Sequence, residues 1–288
     1  CGHDGHMAMV VGGAGVLGGN HPAQGRVILI FQPAEETGQG AIAYRADPQF
    51  AAIAPDYVFS LHNLPGLARG EVLLCQGPAN CASRGMKIEL IGKTSHAAAP
   101  QDGVSPGGAL AELLPQLATL GQGGDLDADF ALTTVTHASL GLPTFGVAPG
   151  RAELWVTLRT VSDARMQRLI LDAERLAKRA ASDHALGISI SYDDVFEACV
   201  NNAEAVDILS RACVLKGVSF SPTPEPQKFS EDFGQFGKSA RSAMFWLGAG
   251  MDHPQLHNPD YDFPDALIPV GTGIFIAAIQ EVLSEVRA

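Results

Sequence analysis

The first six residues, CGHDGH, put a thiol, two imidazoles and a carboxylate into one short stretch. Cys1 and His3 are two apart, so in an extended chain both side chains project to one side. Thiolate, imidazole and carboxylate together suit zinc or a similar transition metal. His6 falls where a helix begins and reads either as support for a ligand or as packing at the helix start. FQPAEETG (31–38) sets Glu35 beside Glu36. Adjacent carboxylates repel, so the pair calls for a cation or a proton. In extended chain neighbours point opposite ways, so one can bind a metal while the other faces a metal-activated water. Alone, the pair also reads as a solvated loop. LHNLPG (61–66) ends an apolar run at His62, and HPQLHNPDYDF (253–263) brings His253 and His257 after a glycine turn. Each of these histidines alone also reads as structural or as part of a polar loop. Together the four segments offer more donors than one tetrahedral ion takes, which favours a two-metal centre with a bridging water.

The elements that must position these residues can be read from periodicity. MAMVVGGAGVLGG (7–19) reads as a close-packing helix ending in glycine. RVILIF (26–31) is a short apolar run that predicts a strand buried on both faces. GAIAYRA (40–46) predicts a short helix and DYVFSLHN (56–63) another strand. This order implies an α/β fold with a parallel or mixed sheet flanked by helices, with polar residues clustered after strands. The character changes near residue 84. Strands at 85–92, 130–141, 150–162 and 187–196 and helices at 107–120 and 163–185 give the order βαββαβ, a ferredoxin-like split βαβ pattern. Asp163 reads as the N-cap of the second helix. Residues 84–196 are therefore expected to form an inserted α+β domain, and 1–83 with 197–288 the metal-bearing domain. A helix at 204–217, a strand at 242–250 and a final helix at 266–285 complete the second part.

Composition narrows the partners. A net charge of −12 without a basic stripe argues against nucleic acid. With 46% hydrophobic and 17% charged residues the chain can bury a full core. The five cysteines are odd in number and unpatterned, which implies a reducing, cytoplasmic setting rather than a disulfide framework. The apolar stretch ALIPVGTGIFIAAI (266–279) is too short to span a bilayer and is broken by Pro269 and two glycines, so it reads as a buried helix.

CGHDGHMAM, FQPAEETGQGA, LHNLPG, GKTSHAAAP, FSEDFGQF and LHNPDYDFPDALIPVG, in this order, resemble the motifs of the M20 metallopeptidases in their amidohydrolase branch. That branch includes hippurate hydrolases, N-acyl-amino-acid amidohydrolases and plant auxin-conjugate hydrolases. The resemblance implies metal ligands at Cys1, His3, Glu36, His62 and His257, holding two divalent ions such as zinc or manganese. It implies Glu35 as the general base. It makes 84–196 a lid or dimerisation domain, with His96 supplying a transition-state hydrogen bond, often across a homodimer interface. Arg159, in TLRT, falls where the family binds a substrate carboxylate, and a guanidinium fork matches a carboxylate in two bonds.

Two departures stand out. FGVAP (145–149) has Gly146 where the family has a substrate-binding Asn; His137 in VTHASLG is a candidate to compensate, and reads also as a surface histidine. CGHDGH stands at the start of this chain, whereas in the family a helix, several strands and an RADMDALP-like motif precede it. The expected activity is hydrolysis of the amide bond of an N-acyl amino acid or related conjugate. The alternatives are a dipeptidase or carboxypeptidase of the same family, or a truncated remnant that only dimerises.

Overall fold

The computed structural model describes residues 1–285. Helix α1 is His3–Gly19, α2 Gly40–Ala46 and α3 Pro48–Ile53, followed by strands β1 (Tyr57–Pro65), β2 (Val72–Cys75) and β3 (Gly77–Asn80). Then come β4 (Ala82–Ile91), β5 (Ser95–His96), α4 (Gly107–Leu120), β6 (Ala131–Leu140), β7 (Val147–Ala148), β8 (Arg151–Thr160), α5 (Asp163–Asp183) and β9 (Gly187–Phe196). The chain ends with β10 (Cys199–Asn201), α6 (Ala203–Lys216), β11 (Phe220–Thr223), β12 (Arg241–Gly250) and α7 (Ile268–Glu285).

Two four-stranded sheets organise the molecule. The first has the order β1-β12-β2-β11 and is mixed. β1 runs parallel to β12, β12 antiparallel to β2, and β2 parallel to β11. β12 is buried almost from end to end because both of its faces are covered. Ala243, Phe245 and Leu247 pack with Ile208 of α6 and Ile274 of α7, while Met244 and Trp246 face Phe50, Phe233 and Phe236. Such two-sided burial explains why SAMFWLGAG is a continuous apolar run rather than an alternating one.

The second sheet is antiparallel, in the order β6-β8-β4-β9, the arrangement of a split βαβ unit. β8 alternates buried Leu154, Val156 and Leu158 with more exposed neighbours, because α4 and α5 cover one face only. α5 meets that face with Met166, Leu169, Ile170, Ala173, Ala177 and Ala180, recurring every three or four residues. Each fully buried leucine or methionine contributes about 1.5–3 kcal/mol from apolar transfer.

Three expectations need correction. Residues 26–31 form no strand: among the described residues no backbone hydrogen bond joins them to a ladder, and Ile28 and Phe31 are exposed. An apolar run becomes a strand only where a neighbour accepts its backbone groups. The N-cap of α5 is Ser162, whose Oγ accepts from the Arg165 N–H at 3.2 Å. Asp163 instead accepts from the Ala198 N–H at 3.0 Å, which ties the start of α5 to the connection after β9. Third, the apolar stretch is not too short: Asp265–Ser284 is long and apolar enough to cross a membrane by length and composition, while the buried-helix reading holds. In this fold α7 packs on the core, with Ile274, Ala277 and Ala278 fully buried beside Met9 of α1 and Leu209 of α6.

Ser162→Ala should lower stability by about 0.5–2 kcal/mol, since it leaves the Arg165 N–H without its cap. Urea denaturation will show this as a lower midpoint with an unchanged slope; an unmoved midpoint would mean that Ser162 does not cap the helix.

Candidate metal centre

The N-terminal turn is held by glycine. Gly2 lies in the left-handed region at φ 82° and precedes α1. A Cβ there would sit 2.7 Å from both Phe263 Cδ2 and Tyr261 Oη, and one on Gly5 would sit 2.3 Å from Phe263 Cδ1. Only glycine lets this turn lie so close to the 253–263 loop. Cys1 and His3 therefore converge through a left-handed turn, not through the extended chain expected. The consequence is direct contact between the two ends of the sequence: Cys1 Sγ and His257 Nε2 are 2.8 Å apart. His257 itself is a non-glycine residue at φ 66°. A left-handed side-chain-bearing residue costs on the order of 1–3 kcal/mol and persists where its surroundings over-determine it.

Glu35 and Glu36 lie on a 3-10 turn (Glu35–Thr37) flanked by left-handed Ala34 and Gly38, so their divergence comes from a tight turn rather than a strand. Glu35 Oε2 is 3.8 Å from His3 Nε2. Glu36 reaches two imidazoles: Oε1 is 3.8 Å from His3 Nδ1, and Oε2 is 3.9 Å from His257 Nε2. His62 leaves the end of β1, buried, with Nδ1 2.7 Å from the Asn63 carbonyl. A carbonyl only accepts, so Nδ1 carries the proton and Nε2 offers its lone pair. Burial holds the His62 pKa at about 3, which keeps that lone pair free.

Donor atoms of Cys1, His3 and His62 lie within 4.8 Å of one another, and so do those of Cys1, Glu36 and His257. The two groups share Cys1. This donor set fits two adjacent borderline-soft cations, with sulfur, nitrogen and oxygen available to each neighbourhood. His6 stands behind them. Its Nε2 is 2.6 Å from Asn63 Oδ1 and its ring lies 4.8 Å from that of His62, centroid to centroid. Burial lowers its pKa to about 4, and the neutral ring packs against Phe263. His253 is committed to the Asp262 carbonyl at 2.8 Å, outside the donor groups.

Cys1, Glu35, Glu36, His62 and His257 open into a cleft of about 550 Å³ that also includes Phe229, Ser230 and Glu231. A larger cleft of about 840 Å³ lies around Asn202, Lys238 and Arg241. It holds none of the donors, and its two cations are already paired with Glu197 and Glu204. Burial, then the charges of Asp232 and Glu36, push the Glu35 pKa up to about 7. That value suits a base working near neutrality, and cations beside it would lower it.

Glu231 and Asp232 had no assigned role in the sequence reading, although they lie inside FSEDFGQF. Both are buried. Asp232 accepts from the Gln32 side chain at 2.5 Å and from the Ala41 N–H at 2.8 Å, which anchors the Glu35 turn from behind. Glu231 shares a hydrogen bond with Glu35 and lies 3.8 Å from His62 Nε2. The available signal was an acidic pair inside an otherwise apolar FSEDFGQF, where charges are costly unless employed.

Arg159 ends β8 beside the cleft, and its Nη1 donates to the Lys228 carbonyl and to Ser230 Oγ, each at 3.1 Å. His96 and His137 lie elsewhere. His96 is exposed on β5, its Nδ1 accepting from the Ala98 N–H at 3.0 Å. His137 is exposed on β6 and packs against Trp155, with centroids 5.4 Å apart. Neither lines the cleft.

The profile of peptidase family M20/M25/M40 matches residues 1–281. The chain belongs to this family. It is 29% identical over 269 residues to N-acetyl-L-cysteine deacetylase of Bacillus subtilis, covering 93% of this chain and 64% of that protein. It is also 29% identical over 272 residues to hippurate hydrolase of Campylobacter jejuni, covering 93% and 70%. The chain thus spans less than two thirds of the first relative and somewhat more of the second. A solved Bacillus subtilis structure, a dinuclear metal-binding peptidase of the M20 family, superposes with a TM-score of 0.79 at 23% identity, over 99% of this chain and 73% of that one. The M20 fold, with its mixed sheet flanked by helices, is therefore this chain's fold.

His257→Ala should remove one bound ion per chain and leave the Cys1, His3 and His62 group intact, whereas Cys1→Ser should weaken both ions. The metal-to-protein ratio after exhaustive dialysis distinguishes the two; equal losses in both variants would contradict a shared Cys1.

Proposed function

We propose that this protein is a metal-dependent amidohydrolase that cleaves the amide bond of N-acyl amino acids or related conjugates. The observation that carries the proposal is the convergence of Cys1, His3, Glu36, His62 and His257 on two adjacent donor groups, with Glu35 3.8 Å from His3 on the cleft side. Two divalent ions, zinc, manganese or similar, would polarise the scissile carbonyl and acidify water. Glu35 takes a proton from that water on its carboxylate and later returns it to the leaving nitrogen. The activities of the relatives, a cysteine deacetylase and a hippurate hydrolase, support an acyl group on the amine side and an amino acid as product.

Arg159 is the residue proposed to receive the substrate carboxylate. Its two hydrogen bonds go to neutral acceptors, the Lys228 carbonyl and the Ser230 hydroxyl, and Ser230 lines the cleft, so a guanidinium without a carboxylate partner among these bonds stands beside it. Residues 84–196 are proposed as the lid and dimerisation domain and 1–83 with 197–288 as the metal-bearing domain. This rests on separate cores: α4 and α5 share one buried cluster with the antiparallel sheet, and α1, α6 and α7 share another with the mixed one. His96, on the lid, would reach a reacting carbonyl on closure or from a partner subunit. His137 would contribute from the open face of the same sheet. The unpaired buried cysteines support a reducing, cytoplasmic setting.

Glu35→Gln should retain both ions and lose activity toward N-acetyl and N-benzoyl amino acids by on the order of 100- to 10,000-fold. Normal turnover in that variant would remove Glu35 as the base. Arg159→Ala should raise KM by roughly 10- to 100-fold, the worth of a charge-assisted bond, with a smaller effect on kcat. For His96, mixing Glu35→Gln with His96→Ala chains discriminates the two geometries. A partner-supplied histidine restores activity at one site of each mixed dimer; no recovery with proven subunit exchange assigns His96 to its own chain or to no catalytic role.

A further inference from the structure

Glu231 is the one buried carboxylate at the centre to which the two-metal reading gives no task. Its side chain is only 10% exposed, and Oε1 lies 3.8 Å from Nε2 of His62. That nitrogen is the one with the free lone pair, because Nδ1 is bound to the Asn63 carbonyl. Two donors each about 2.1 Å from a shared ion lie roughly 3–4 Å apart. The pair is thus at the separation expected of two ligands of one cation. The charged groups facing Glu231, namely Glu35, Asp232 and Glu36, are all acidic. A buried carboxylate in such company needs a cation or a proton to neutralise it, and among the described residues no lysine or arginine forms an ion pair with it.

We propose that Glu231 is a further protein donor of the metal centre, binding the ion that His62 holds. The inference rests on the two-metal reading and extends it. It assigns that ion a carboxylate in addition to Cys1, His3 and His62, and gives each ion one glutamate, Glu36 on one side and Glu231 on the other. It also gives Glu35 a fixed place: beside a ligated carboxylate, the base faces the cleft from which water must approach.

Cobalt provides the test, since its visible absorption reports coordination without any turnover. Glu231→Gln keeps the size of the side chain and removes the charge; Glu231→Ala removes the donor. Both should weaken one of the two ions by more than roughly 10-fold in chelator competition. Both should also change the cobalt d–d spectrum, while circular dichroism stays that of the parent chain. Should the parent chain bind two ions, and Glu231→Gln match it in affinity and spectrum, this inference falls alone. Reduced turnover with unchanged binding and spectrum would likewise overturn it, leaving Glu231 as a residue that only positions Glu35. A parent chain that binds no cobalt would overturn both the inference and the two-metal reading.

Discussion

The contact between Cys1 and His257 is the constraint on which the site depends. These residues are 256 positions apart in sequence and 2.8 Å apart in space. Closing so long a loop carries an entropy cost that no single hydrogen bond recovers. The closure is sustained by packing beneath it. α1 lies on α7 through Met9 and Thr272, whose Oγ1 donates to the Met9 carbonyl at 2.9 Å. Phe263 fills the notch left by Gly2 and Gly5. The glycines thus let the turn lie close enough to the 253–263 loop for Cys1 and His257 to meet with no ligand between them.

Electrostatics then make the site a cation trap. Burial keeps His6 and His62 neutral and raises Glu35 and Glu231, so the centre collects lone pairs and protons in place of opposite charges. A divalent cation reverses these balances: it displaces the shared protons and stabilises the carboxylates. Asp232 has a different task. With its oxygens occupied by Gln32 and the Ala41 N–H, it sets the level of the Glu35 turn rather than offering a ligand. Adjacent acids in one motif thus divide into one that faces the cleft and one that holds the scaffold.

Much of this was legible in the sequence because the elements obey single-period rules. α5 shows its stripe at helical spacing, β8 alternates, and β12 reads as an unbroken apolar run because both faces are covered. The cluster of donors was legible too, since each motif sits at a turn or a strand end. What failed were features set by neighbours distant in sequence. Residues 26–31 have strand composition but no partner to pair with. β2, β3, β10 and β11 are too short for any period to show, and each is defined by the strand it pairs with: β2 by β12, β11 by β2, and β3 and β10 by each other. Ser162 and Asp163 are equally good caps by type; the Ala198 N–H, 35 residues away, draws the aspartate elsewhere. Glu231 escaped because its meaning lies in its distance to His62, which no local pattern encodes.

The two sheets are joined by two short crossings, from β3 into β4 and from β9 into β10, and those strands pair with each other at Asn80 and Cys199. If residues 84–196 close as the proposed lid, these crossings are where the chain must bend. Arg159 stands at this junction. It belongs to the antiparallel sheet by register, paired with Ser83 of β4, but its guanidinium is bound to Lys228 and Ser230 of the segment that carries Glu231. Bending at the crossings would strain those two hydrogen bonds. A substrate carboxylate that replaced them with a charge-assisted pair would offset their loss and favour the bent state over the open one. In this scheme one arginine couples recognition to closure, and the proposed lid needs no separate latch.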